Sequence, residues 1–283
     1  MNRHVDPIRL AGHLFLLSLR EAWRNSMGMI LFFSIPVVFL GAVQLTAGEG
    51  FVSVRLFYPA EEVGILLTVR HVAMVFAAAA VNGFLAAYYA LILFHQDFEY
   101  FRFCTFSGLH PAVLLAGRFG FFFLLVLLLS AGTTALTAAL VPVNHPASMF
   151  AGFLLIGVVY GACGGIAGTM TRDFLLAFLV VALLADIDAA WLQNPVYYSA
   201  GQNIGLIRWL PAFYPSQMIF ASGFTEDPNA LAVAGSLAYA AGLLVVLLCI
   251  LLIRLRPLRQ GRRHSPPSAH RTGIEAVLKG DKP

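Results

Sequence analysis

The sequence predicts an all-α polytopic membrane protein with six transmembrane helices, and three observations carry that prediction. Of 283 residues, 59% are hydrophobic and only 11% are charged, with a mean hydropathy of +0.81; so few charges do not cover the surface of a soluble chain of this length. The apolar residues are gathered in runs that reach the ~20 helical residues needed to cross a ~30 Å hydrocarbon core. The basic residues are sorted as well. With both termini inside, fifteen of the eighteen Lys and Arg residues fall on the cytosolic side, leaving Arg55, Arg70 and Arg208 outside. Membrane insertion imposes that bias. The expected location is a bacterial plasma membrane, crossed several times.

Taken in order, Met1–Asn25 lacks the short apolar core and small-residue cleavage site of a signal peptide. Asp6-Pro7 is a helix start, and a helix is expected over 6–25. At about 100° per residue, Arg9, His13, Arg20 and Arg24 fall within about 60° of one another, with Ile8, Ala11, Leu14, Phe15 and Ala22 mostly opposite. A basic amphipathic helix of this kind lies in the headgroup region and is attracted to anionic lipids. Spans follow at about 28–47, 72–94, 119–141, 150–170, 174–192 and 230–253, the first bent at Pro36. Between the first two, Glu49–Arg70 reads as a short outer loop. The tail, 254–283, is basic and then Ser/Pro-rich, as expected of a juxtamembrane positive patch leading into disorder. It lacks the aromatic interleaving or folded module of a nucleic-acid binder. Cys104, Cys163 and Cys249 are too few and too scattered for a disulfide framework.

The connection His95–Arg118 is too polar for lipid and too amphipathic for a plain loop. Phe98, Phe101, Leu109 and Val113 supply an apolar side; Asp97, Glu99 and Arg102 supply charge. Gly108 and Pro111 are expected to stop the helix. A short capped helix held between two spans on the cytosolic side suits contact with a soluble partner.

Two features inside the spans concern packing. Gly157, Gly161 and Gly165 form a GxxxGxxxG row in the fourth span, with Gly164 and Gly168 beside it. Each Gly costs about 1 kcal/mol against Ala in a helix interior, a cost offset when another backbone approaches closely. The row fits internal packing and a dimer seam equally. Ala79, Gly83 and Ala87 make a milder row in the second span. Asn82 lies near the middle of that span, as an interhelical hydrogen-bonder or a substrate contact.

The fifth span runs apolar from Phe174 for twelve residues and then meets Asp186 and Asp188. At 1.5 Å per residue these carboxylates lie only about 20 Å from the inner surface, at a depth where a lipid-facing carboxylate is expensive. Two residues apart on a helix, they point about 200° from each other, which argues against a shared metal site. Pairing with Arg208 or Arg70 is one expectation; lining an outer gate is the other. Next comes 194–224, apolar enough to enter the membrane but interrupted by Pro195, Pro211, Pro215 and Arg208. It is expected to fold as a re-entrant hairpin, with Trp191, Tyr197, Tyr198, Trp209 and Tyr214 at headgroup level.

The order of these elements resembles the membrane subunit of type-2 ABC exporters, the ABC-2 permease family, over about residues 6–253. Two local patterns carry the resemblance: Glu99 followed by the turn Gly108-Leu109-His110-Pro111, and the hairpin pairs Asn194-Pro195, Leu210-Pro211 and Tyr214-Pro215. The resemblance implies a coupling helix at Phe98–Leu109 docked on an ATP-binding subunit, with Glu99 and Arg102 as polar contacts and Phe98, Phe101 and Leu109 as apolar ones. It implies an interfacial helix carrying Arg9, His13, Arg20 and Arg24 that supports this contact, a second permease subunit, and a translocation path near Asn82, Asp186 and Asp188. No cofactor is expected on this chain. The only lysines, Lys279 and Lys282, stand outside any GxxxxGK[ST] loop, so ATP and Mg belong on the partner ATPase. The expected cargo is a small amphipathic molecule (a drug, antibiotic, peptide or lipid) moved by alternating access.

Two other classes compete with the permease. A non-catalytic membrane scaffold or immunity protein accounts for the spans but not for the buried carboxylates or the capped cytosolic helix. A six-span intramembrane enzyme needs a general base within the membrane, yet every histidine lies near or beyond a predicted boundary. The chain is therefore expected not to be an enzyme.

Overall fold

A computed structural model of the chain describes residues 7–57, 62–96, 104–105, 109–194, 204–226 and 229–255. Helix α1 (Pro7–Arg24) is separated from α2 (Ser26–Thr46) by one residue, Asn25, whose side chain caps the new helix by accepting the Gly28 N–H at 3.0 Å. Pro36 stands inside α2 without ending it. The expected outer loop is instead a β-hairpin. Strand β1 (Phe51–Phe57) pairs antiparallel with β2 (Glu62–Thr68), in register from Phe51 opposite Thr68 to Phe57 opposite Glu62. Along β1, Val54 and Leu56 turn inward while Ser53 and Arg55 turn out, the period of two that a half-buried strand requires.

Three spans begin earlier than their apolar runs suggest: two have a polar side chain that caps the first turn outside the run, and two open on a first-turn proline. Helix α3 (Val69–Gln96) starts directly after β2, with Thr68 Oγ1 accepting the His71 N–H at 3.2 Å. Helix α4 (Pro111–Leu140) starts at Pro111, with His110 Nδ1 accepting the Ala112 N–H at 3.3 Å. Pro111 thus opens a helix, since the first turn needs no proline N–H; the preceding helix that it and Gly108 were expected to stop lies largely outside the described residues. Arg118, expected to flank the third span, is inside α4 and only 4% exposed. Helix α5 (Pro146–Met170) likewise has His145 before a first-turn proline.

Helix α6 (Phe174–Leu184) is capped by Asp173, which accepts the Leu175 and Leu176 N–H groups at 2.8 and 3.4 Å. It runs directly into a π-helix, π1 (Ala185–Leu192). Beyond lie the short α7 (Ile204–Ile207), α8 (Phe213–Phe224) and α9 (Ala230–Leu255). Pro215 is tolerated in the first turn of α8. Among the described residues, five helices are long and apolar enough to cross a membrane: Gly28–Thr46, Val69–His95, Pro111–Leu140, Pro146–Met170 and Ala230–Leu255. The chain is a multi-pass, largely helical membrane protein.

At the centre, α3 packs along α5, and the glycine row is spent there. A Cβ at Gly164 would fall on the carbonyl of Ala87, and one at Gly168 would lie 2.9 Å from Leu91 O. At Gly157 it would meet Val126 at 2.7 Å and Asn82 at 3.2 Å; at Gly161 it would strike the Phe122 ring. Gly165 faces elsewhere, toward Leu247 of α9 and Phe94. The row therefore serves internal packing against α3, α4 and α9. Asn82, fully buried, donates from Nδ2 to Phe153 O of α5 at 2.7 Å; Thr133 Oγ1 of α4 lies 3.3 Å from its Oδ1. It ties three helices together, as an interhelical hydrogen-bonder does.

Candidate functional site

Short links fix which elements share an end of the bundle. Residues 141–145 join α4 to α5, and 171–173 join α5 to α6, so these helices alternate in direction. The β-hairpin, the end of π1 and the segment 204–229 consequently gather at one end. Helix α1 and the start of α4 gather at the other.

At the first end the centrepiece is Asp188. It is 1% exposed and binds donors from three segments. Its Oδ2 accepts the Tyr160 hydroxyl of α5 at 2.5 Å and the backbone N–H of Ala212 at 3.0 Å; its Oδ1 accepts Gln193 Nε2 at 2.7 Å. The π-helix makes this possible: the Gln193 N–H reaches back to Asp188 O at 3.1 Å, and the wider turn brings the Gln193 side chain under the carboxylate. Gly83 of α3 leaves room for the Tyr160 ring, which a Cβ there would meet at 3.1 Å. The pairing of Asp188 with Arg70 or Arg208 is thus overturned. Arg70 binds Glu49 at 3.0 Å, and the Arg208 guanidinium stands 4.6 Å above the Phe57 ring. Asp186, half a turn away, is exposed on the outside of the bundle, so the two carboxylates share no wall.

A second knot closes the same end. Phe57, the last residue of β1, donates its N–H to Gln217 Oε1 of α8 at 3.1 Å, and its carbonyl accepts Asn229 Nδ2 at 2.6 Å. Its ring packs against Phe213 with centroids 5.7 Å apart. The Tyr239 hydroxyl of α9 donates to Trp209 O at 2.7 Å. The buried α8 and the β-hairpin thus form a lid over the bundle, held by side chains that bind backbone atoms. Of the expected hairpin, Pro195, Tyr197 and Tyr198 lie outside the described residues.

At the opposite end, Arg118 donates from Nη1 to Ser18 Oγ at 2.8 Å and to Glu21 Oε2 at 3.3 Å. The pair joins α1 to α4, while Leu14 and Ala11 O close over Gly117. Arg9, His13, Arg20 and Arg24 form an exposed stripe on α1. The apolar side of that helix is divided. Leu14, Phe15 and Ala22 pack on the bundle, whereas Ile8, Leu16, Leu19 and Trp23 are exposed, Trp23 by 75%.

Of the expected docking residues, Leu109 is partly buried against the core and its N–H bonds to Cys104 O at 3.1 Å. Phe98, Glu99, Phe101 and Arg102 lie outside the described residues. Among the described residues there is no group of three or more His, Cys, Asp or Glu side chains placed to hold a metal ion. Tyr160, Gln193, Gln217 and Asn229 escaped sequence reasoning. Tyr160, a lone hydroxyl amid glycines, was the one visible signal. No protein-family model matches the chain, and no curated protein matches it.

Proposed function

We propose that this chain is the membrane subunit of an ATP-driven exporter of the ABC-2 type, with six spans and both termini in the cytoplasm of a bacterial cell. The sixth crossing is the continuous helical stretch of α6 and π1, 174–192, which at 1.5 Å per residue approaches the hydrocarbon thickness. The observation that carries the reading is the contrast between the two ends. One is sealed by Asp188 and the Phe57 knot; at the other, an interfacial helix is clamped by Arg118 to the helix that follows the predicted coupling segment. A push delivered at 98–109 meets α4 and α1 together, and through α4 the packed centre.

On this reading a separate ATPase subunit binds ATP and Mg and docks at Glu99 and Arg102. A second permease subunit completes the path, and a small amphipathic molecule leaves where the lid opens. Asp188 acts as a latch in the lid rather than as a contact for substrate.

The test is purification of the full chain from its native membranes with whatever it binds. The expected result is vanadate-sensitive ATP hydrolysis by a Walker-type partner, uncoupled from transport by Glu99→Lys with Arg102→Glu. Absence of any ATPase from the complex would leave the scaffold reading, which a fully bonded Asp188 also suits.

A further inference from the structure

The clamp at Arg118 forms one wall of a cavity of about 520 Å³ between α1, α2, α3 and α4. That volume falls in the ~300–1,000 Å³ range of small-molecule sites. Its body is hydrocarbon, with Phe32, Ile92, Leu93, Phe121 and Leu125 among the lining residues. Its polar atoms come from Ser18, Glu21, Asn25, Tyr89 and Arg118. Most are already engaged: Asn25 caps α2, the Tyr89 hydroxyl donates to Gly28 O, and Arg118 binds Ser18 and Glu21. Glu21 keeps 53% of its side chain exposed. The site is thus an apolar sleeve with a charge pair at one end, at the depth where α1 lies.

Three observations say what fills it. Other lining residues are among the most exposed apolar side chains of the protein: Trp23, Phe33 at 63% and Leu128 at 51%. The cavity therefore opens onto the surface that the bilayer covers. Three of its four walls, α2, α3 and α4, are helices long and apolar enough to cross a membrane, and α2 and α4 carry exposed apolar sides. The division of the apolar side of α1, half on protein and half exposed, sets this helix as a roof resting on acyl chains. Water in a sleeve this apolar lacks the two to four polar partners it needs.

We propose that the cavity binds one acyl chain of a phospholipid from the leaflet in which α1 lies, with the headgroup held beside the Glu21–Arg118 pair. The site is independent of transport and needs only the membrane.

The full chain is reconstituted in vesicles of phosphatidylethanolamine and phosphatidylglycerol, with a trace of phosphatidylethanolamine carrying a diazirine on one acyl chain. It is then irradiated and its crosslinks are mapped. Crosslinks are expected at Phe32, Ile92, Leu93 or Leu125, and Leu125→Trp, which fills the sleeve, is expected to lower them at least tenfold. Leu248→Trp, on the exposed side of α9, leaves them unchanged. Crosslinks confined to exposed positions such as Val38 and Val245, or equal in wild type and Leu125→Trp, overturn the proposal. Should Leu125→Trp fail to assemble, Leu93→Phe serves as the second filling variant. The wild-type crosslink map decides the question without either variant.

Discussion

Asp188 shows how a buried carboxylate is made tolerable; on the proposed sixth crossing an ionisable side chain costs roughly 2.5–3.5 kcal/mol or more. Hydrogen bonds to a charged group contribute about 1.5–3 kcal/mol each, so three donors outweigh that cost. Removing the acceptor is another matter. Asp188→Ala strands Tyr160, Gln193 Nε2 and the Ala212 N–H without partners and is expected to destabilise by about 3–5 kcal/mol, as when one member of a buried polar set is deleted. Asp188→Asn is expected to cost less than about 1 kcal/mol. Gln193 Oε1 is buried without a partner, so the Gln193 amide turns over and accepts from the new Asn nitrogen while the Asn oxygen still receives Tyr160 and Ala212. Thermal unfolding of both variants in detergent checks the ordering; equal losses would show that the charge itself holds the site. At the same scale, Gly164→Ala drives a methyl into the Ala87 carbonyl and is expected to cost about 1–3 kcal/mol. Gly242→Ala, with nothing within 4 Å of the added carbon, should be neutral or stabilising by up to about 1 kcal/mol.

Among the elements, α1 combines three surfaces on one cylinder. At 100° per residue its basic stripe spans about 60°, and the apolar remainder splits between the bundle and the exposed surface. Sequence periodicity reveals the stripe but not the split, because both apolar faces read alike. Ser18, one of the buried residues on the bundle side, gives no hint in isolation that it receives Arg118. The early starts of α3, α4 and α5 were hidden for a related reason: hydropathy ends where the apolar run ends, whereas these helices begin at polar caps or first-turn prolines. The β-hairpin reads in the sequence as a loop, although Val52, Val54 and Leu56 alternate with Ser53 and Arg55 along β1; along β2, Ile65, Leu66 and Leu67 run on without alternation. The close fit at Gly117 yields a prediction about α1. Gly117→Val places atoms where Leu14 and Ala11 now sit and is expected to lift α1 from α4, with trypsin cleavage at Arg20 and Arg24 rising at least tenfold. Unaltered cleavage would mean that α1 is held by the membrane and not by α4.

For the molecule as a whole, the multi-pass character was legible in the sequence, and the contacts that close one end were not. Composition and the arginine distribution indicate a multi-pass chain, and the helices bear that out. That one end is closed by a latch and a knot depends on Tyr160, Gln193, Gln217 and Asn229 meeting partners up to 172 residues away, contacts no local pattern encodes. The proposed transport cycle requires these bonds to break while the α3–α5 seam, tight enough to exclude a methyl, moves as one body. Its central claim is directional: the lid faces out, and the segment around Phe101 faces the cytosol. Cysteine labelling in intact cells with a membrane-impermeant maleimide tests this most directly, after Cys104, Cys163 and Cys249 are replaced. Ser53→Cys and Leu206→Cys should label from outside, and Phe101→Cys only after the membrane is opened. Labelling of Phe101→Cys in intact cells, with Ser53→Cys protected, would contradict the account.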